Sequence, residues 1–462
     1  MMIDKKFVKR ILNILLSTGG DFSEIFLQRR SLNNLKLEDG KIENASSGFE
    51  LGCGLRLIKD ESTFYAYVDS LAKEKLLNAA KVLGSAFNST NVLKVMDLSQ
   101  VRVDYNAKIK KYPSLLIQDI KSKVLGEANI AARNYNDRVI QVTVSLSDLE
   151  EEIFIANSLQ NYVEDKTVKV FMAINVVAKK HDEIRTGYAS LAGTSGYEIF
   201  DKTRPAELAL KASKTAVIML DAISAPAGSF PVVIGPAFGG VIFHEACGHG
   251  LEADSIVKDA SVFKDKLNKK IANTSVTAID DSSMPFHWGS YAVDGEGFPS
   301  GKIVLIDNGT LVNYIFDYRS SKKMKMKQTG NGRRQSYREI PLPRMSNTYI
   351  APGKEGPENI IGTVKNGIFA KEFAGGQVDP AIGDFVFGVS EGYLIKNGII
   401  SEPIKGATLI GNGPDILNKI ETVGNNLDFA PGFCGKAGQS ISNEVGQPTV
   451  LVSEITVGGT KV

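Results

Sequence analysis

Cysteine, histidine and tryptophan are scarce in this 462-residue chain, which holds three, four and one of them respectively. Cys53, Cys247 and Cys434 are too few and too scattered for a disulfide framework, so a reducing compartment is expected. Net charge is nearly absent as well, at a formal +2 from 54 basic and 52 acidic residues. That balance argues against a dedicated nucleic-acid or membrane-surface binder and makes nucleic acid an unexpected partner. No stretch approaches the ~18 uncharged apolar residues that cross a bilayer. The segment MMIDKKFVKRILNILLSTGGDF spaces Phe7, Val8, Ile11, Leu12, Ile14 and Leu15 for one broad face of a short helix. It lacks the small-residue cleavage site of an export signal. A soluble, cytoplasmic protein with no membrane attachment is the expectation.

What is present suits a folded chain. With 43% hydrophobic and 23% charged residues, disorder is excluded. A prior of ~100–200 residues per domain predicts two or three domains, or two large ones. Glycine divides the sequence unevenly, since 11 of its 44 glycines precede residue 221 and 33 follow it. In the first part, Glu24 to Arg29 reads as a strand and LKLEDGKIENA as a hairpin turning at Asp39-Gly40. GLRLIKDESTFYAYVD predicts a second strand pair, turning at Lys59 to Ser62. Helices are expected at Leu71 to Phe87, at about Ser114 to Tyr135, and after Pro205, where proline suits a first turn. Ser224 to Pro231, small residues with two prolines, reads as a linker. It divides the chain into an N-terminal α/β domain, residues 1–223, and a C-terminal domain, residues 224–462. Beyond it, short extended runs alternate with glycine, and Asp307-Asn308-Gly309 and Asn397-Gly398 supply hairpin turns. The expected fold class is α+β, with a Gly-rich, mostly antiparallel β body carrying one distorted metal-binding helix.

That helix is FGGVIFHEACGHGLEADS, Phe238 to Ser255, in which His244, Glu245 and His249 form H-E-x-x-x-H. A zinc site takes neutral imidazole nitrogens and an open position for water, on which a neighbouring carboxylate acts as general base. Histidines four apart lie about 40° from each other around a helix, but five apart they lie about 140° away. One ion can bind both only if the helix absorbs a residue as a π-bulge or kink, which predicts a distortion at Cys247-Gly248. The plainer alternative is two separately hydrogen-bonded histidines and a solvated Glu245. Candidates for a third ligand are Cys247, Glu252, Asp254, His181, His287 and Cys434. Cys434 lies in DFAPGFCGKAGQS, where flanking glycines permit close approach and a thiolate makes a good zinc ligand. Cys53 and Cys247 read as inert buried thiols. Glu252 and Asp254 read as capping groups, or as carboxylates that hold a metal-bound histidine from behind.

Several segments together resemble the TldD/PmbA family, and specifically its TldD branch. They are HEACGHGLEAD at 244–254, TGNGRRQSY at 329–337, PRMSNTYIAPG at 343–353, PGFCGKAGQ, VGQPT and ITVGGT, in that order. The resemblance covers most of residues 230–462; the N-terminal half matches only in αβ texture and length. It implies a zinc-dependent metallopeptidase with His244, His249 and Cys434 as ligands and Glu245 as catalytic acid/base. It also implies a substrate of small, flexible or unfolded peptides, and a homodimer or a heterodimer with a paralogous subunit lacking the histidines.

Residues 319–344 carry nine basic side chains against one acid, Glu339. The ordinary fate of such a run is a solvated loop, and too few aromatics accompany it for a nucleic-acid platform. Within it, Gly330 and Asn331 lead into Arg333 and Arg334, a turn expected to offer guanidinium groups to a peptide carboxylate. Two other functions compete with the peptidase. One is a hydrolase with Cys434 as nucleophile, and the other is a non-catalytic interaction subunit.

Overall fold

The computed structural model describes residues 3–86, 92–103, 107–379 and 381–460. It is a strand-rich α+β protein. The first half is built on one antiparallel sheet in which Ser62–Val68, Lys41–Lys59, Phe22–Glu38, Val139–Asn157 and Asn161–Lys180 lie side by side. Glu183–Gly193 pairs with the far edge of Asn161–Lys180. The hairpin turn sits at Asp39-Gly40, with φ values of 48° and 83°. Such backbone favours glycine and tolerates aspartate. The strands are longer than their apolar runs, because Val139–Asn157 continues through Asp148-Leu149-Glu150 as one ladder. Gln118–Arg133 and Pro205–Met219 pack on one face of the sheet through Leu125, Ala128, Leu208 and Ala212. Lys5–Leu15 and Lys73–Gly84 share a second core with Ile25, Leu55 and Leu57. The expected end of that last helix, Phe87, lies outside the described residues.

In the second half, five strands form a closed ring: Asn366–Val378, Gly228–Ile234, Val450–Gly458, Thr408–Asn412 and Asp384–Lys396. A closed ring leaves no strand edge unpaired. The expected linker at Ser224–Pro231 is not one. Ile223–Ser224 and Gly228–Ile234 are strands of this sheet, because Val232, Val233 and Ile234 need the burial it provides. A second, six-stranded sheet contains the hairpin Asp428–Lys436/Gln439–Gln447 and joins it to Asn347–Ile350 by a parallel pairing. The histidine segment fills the space by the ring, with Val241, Ile242, Phe243, Ala246 and Cys247 in the largest core. Among the described residues no helix is long and apolar enough to cross a membrane.

Candidate metal centre

The histidine segment deforms where its spacing demands. Val241–Phe243 is α-helical, His244–Gly248 is a π turn, and His249–Leu251 tightens to 3-10 geometry. The wide turn returns His249 to the face of His244, and the two ring centroids lie 5.1 Å apart. Gly248 adopts ordinary helical angles, so conformational freedom is not its purpose. A Cβ there would meet the Met345 sulfur at 2.2 Å, so glycine is required for close approach.

The hairpin brings Cys434 to the same point. Its Sγ lies 3.2 Å from His249 Nε2, and the ligand atoms of His244, His249 and Cys434 all fall within 4.8 Å of one another. Burial works against a Cys434 thiolate, but hydrogen bonds with His244 and His249 outweigh it and bring the thiol down to about 5. Burial likewise opposes charge on His249, yet Glu252 and the Cys434 sulfur hold its pKa well above the usual imidazole range. A tetrahedral ion with bonds of ~2.0–2.3 Å spaces its ligands ~3.5 Å apart, so a small inward shift of these side chains suffices. A thiolate beside two histidines is a donor set that zinc accepts once His249 gives up its proton, with a fourth position left free.

Each of these three side chains is held from behind. His249 Nδ1 lies 2.9 Å from Glu252 Oε2, a contact that leaves Nε2 for a metal. Glu252 is fully buried, and burial alone would raise its carboxyl. Lys436 and His249 instead hold it well below the usual carboxylate range. Lys436 Nζ donates to Glu252 at 2.8 Å and to Asp254 at 2.6 Å. Arg344 donates to the Cys434 carbonyl at 2.7 Å. Asn443 reaches the His244 ring at 3.2 Å. Asn443 and Lys436 went unnoticed in the sequence, and Arg344 was read only as one of the nine basic side chains of residues 319–344. Only the hairpin register held a signal: Cys434 faces Ile441, which puts Asn443 on the same face two residues further along. Glu245, with its side chain 31% exposed, stands 3.8 Å from His249 Nε2 at the mouth of the site. With Ser255, Gln377 and Val378 it lines a cleft of about 450 Å³.

The other candidates lie elsewhere. His181 occupies an exposed turn with φ 54°, and His287 pairs with Glu444 at 2.5 Å. Cys53 and Cys247 are buried, and burial pushes both thiols up. The basic segment departs most from expectation, because Gly330, Asn331 and Arg333 are buried and the Arg334 side chain is only 1% exposed. Gly330 has φ 74° and abuts the Pro299 carbonyl, and Asn331 donates to Asp280 at 2.8 Å. Arg333 donates to the carbonyls of Met345 and Ser442, both at 2.6 Å. Arg334 pairs with Glu24 across the two halves and donates to the Gly295 carbonyl at 2.6 Å. The turn does not hold its guanidinium groups out to a peptide. It ties the hairpin and the N-terminal sheet together, because buried charges need internal partners.

Three family profiles cover most of the chain. They describe PmbA/TldA metallopeptidase domain 1 over residues 23–86, the central domain over 111–220 and the C-terminal domain over 227–459. The chain belongs to the PmbA/TldD family. Among PmbA/TldD relatives, the metalloprotease TldD homolog of Haemophilus influenzae is 37% identical over 460 residues, covering 97% of this chain and 95% of the relative. The metalloprotease TldD homolog of Buchnera aphidicola subsp. Schizaphis graminum is 36% identical over 450 residues, covering 95% and 93%. The fold is shared with TldE from Thermococcus kodakarensis, with a TM-score of 0.80 at 21% identity over 98% of this chain and all of that one. A Thermotoga maritima protein named for a suggested role as a DNA gyrase modulator has the same fold, with a TM-score of 0.81 at 21% identity, 98% and 99% covered.

Proposed function

We propose that this PmbA/TldD chain is a zinc-dependent peptidase, with His244, His249 and Cys434 holding the ion and Glu245 as general acid/base. The observation that carries the reading is the convergence of two histidines, a thiol and a half-exposed glutamate at one cleft. Bound there, zinc supplies Lewis acidity that polarises a carbonyl and acidifies water. Glu245 accepts a proton from the attacking water and delivers it to the departing amine. Glu252 keeps the His249 ring oriented, and Lys436 keeps Glu252 charged. The cleft suits small, flexible or unfolded peptides, since a folded domain would not reach a glutamate set beside buried ligands. A homodimer, or a heterodimer with a TldE-like paralogue, is the proposed assembly, and three unpaired cysteines fit a cytoplasmic setting. Glu245→Ala tests the chemistry: metal content should stay at the wild-type level while peptide cleavage falls by ~10²–10⁴-fold. Cleavage at wild-type rate would overturn it.

A second reading has one observation in its favour, the Cys434–His249 contact of 3.2 Å with the thiol brought down to about 5. Such a pair describes a cysteine hydrolase. It requires activity that survives chelation and is lost on alkylation of Cys434. The remaining alternative, a non-catalytic interaction subunit, requires protein purified without chelators to carry almost no metal.

A further inference from the structure

A second cavity, of about 400 Å³, lies between the two halves on the reverse side of the hairpin that carries Cys434. Phe433 and Ser442 are paired in register and line it, while the neighbouring Cys434 turns to His249. The opposite wall is one face of three adjacent strands. Arg30 stands across from Glu151, and Glu151 lies diagonal to Asp165 and Lys169 on the next strand. Diagonal neighbours in a sheet are about 7–8 Å apart or less, so these charges share one small space.

Charge there is balanced only in part, through the attraction of Glu151 for Lys169 and Arg30. Glu151 takes a 2.6 Å bond from Gln28, and Asp165 takes a 3.4 Å bond from Thr167; burial pushes both carboxyls up. Lys169 donates to the Trp288 carbonyl at 3.2 Å and to Ser442, yet burial and the nearby Arg333 pull its amine down to about 7. Arg334, whose side chain is 1% exposed, lines the same space with an Nε that has no partner. Apolar surface completes the walls. Phe433 remains 58% exposed while stacking edge-on against Trp288, with ring centroids 5.5 Å apart.

We propose that this cavity binds a small zwitterion, a free amino acid or short peptide. Its ammonium group sits at Glu151 and Asp165, its carboxylate at Lys169, and its side chain against Phe433 and Trp288. A ligand carrying one charge alone leaves the other wall uncompensated, at the cost of a buried charge without a partner. A cavity of this size falls within the range of small-molecule sites. The site is independent of the metal reading, since none of these groups belongs to the His244, His249 and Cys434 cluster.

Trp288 is the chain's single tryptophan, so its emission reports the cavity directly. Leucyl-leucine is titrated into Glu245→Ala protein, which either lacks cleavage or, if the peptidase reading fails, still serves as a folded binder. The expected result is a saturable change in emission, with N-acetyl and C-amide forms each binding at least ~10-fold more weakly. Lys169→Gln and Glu151→Gln should each weaken binding by a similar factor with unchanged circular dichroism. If either variant misfolds, the comparison of free with blocked peptide on otherwise intact protein still decides. No emission change at millimolar dipeptide, or equal binding of free and blocked forms, would overturn the proposal.

Discussion

Two of the buried-charge clusters in this chain use their atoms differently. At the junction of the halves, Glu24 and Glu296 share Arg56, at 2.7 Å from each, and Glu24 also takes Arg334. All four side chains are 1% exposed or less, and their charges pair with one another. At the candidate metal centre, Glu252, Lys436 and Asp254 form a partly buried network, but His244 and Cys434 direct donor atoms toward a common point beside a cleft. Charges that partner each other hold a structure together, whereas donors that converge on space leave room for a ligand. Burial and charge alone therefore do not mark the functional cluster. Unspent lone pairs do.

The sharpest test of that contrast removes one member from each cluster. Cys434→Ser replaces a thiolate with a hydroxyl that stays protonated, and metal analysis should fall to near background while the fold is retained. Full occupancy would remove Cys434 from the ligand set. Arg334→Met should have the opposite profile. It should cost about 3 kcal/mol of stability, the low end for breaking a buried pair because Glu24 keeps Arg56, and leave metal content unchanged. Denaturant unfolding measures the first effect and metal analysis the second. If Arg334→Met lost metal with little loss of stability, the junction would belong to the site rather than the scaffold.

The smaller effect concerns the support behind the ligands. Lys436→Met removes the cation that keeps Glu252 ionised against His249. Partners at this remove typically change metal affinity by ~10–100-fold. A competitive chelator titration reads this directly, and an affinity within twofold of wild type would show that Glu252 needs no such help.

The sequence already showed the centre of the site, because helical periodicity is a strict ruler. A five-residue gap between His244 and His249 is incompatible with one ion on a regular helix, and the π turn at His244–Gly248 accommodates that gap. The hairpin at Asp39-Gly40 was readable for the same reason, as turn geometry selects few residues. Arg333 and Arg334 misled because residue type and turn chemistry say nothing about which side of a loop meets the rest of the protein. Their partners Glu24, Met345 and Ser442 lie up to 310 residues away. The linker reading at Ser224–Pro231 failed similarly: Gly228 to Pro231 begin a strand whose partners on both sides, Asn366–Val378 and Val450–Gly458, lie far along the chain. Local spacing survives folding, but long-range pairing must be seen.

The junction carries a pH signature through its surplus of acid. Four carboxyls, Glu24, Asp294, Glu296 and Asp317, gather around Arg56 and Arg334. Burial, with Asp317 and Asp294 adding repulsion against Arg56, pushes Glu296 up to about 8. Burial also lifts Asp294 to about 6. An unfolded glutamate titrates near ~4.3, so the folded junction binds protons more tightly than the unfolded chain. The stability this contributes is complete below about pH 4 and is lost as pH rises through about 8. Thermal unfolding between about pH 5 and pH 8 should show the melting temperature falling, and Glu296→Gln should flatten that fall. The glutamine carbonyl still accepts from the Tyr318 amide, as Glu296 does at 2.7 Å, but its amide replaces the oxygen that faces Arg56, so the slope with pH rather than the absolute melting temperature is the readout. A wild-type profile as flat as the variant's would mean that the two guanidiniums already balance the charge of the cluster.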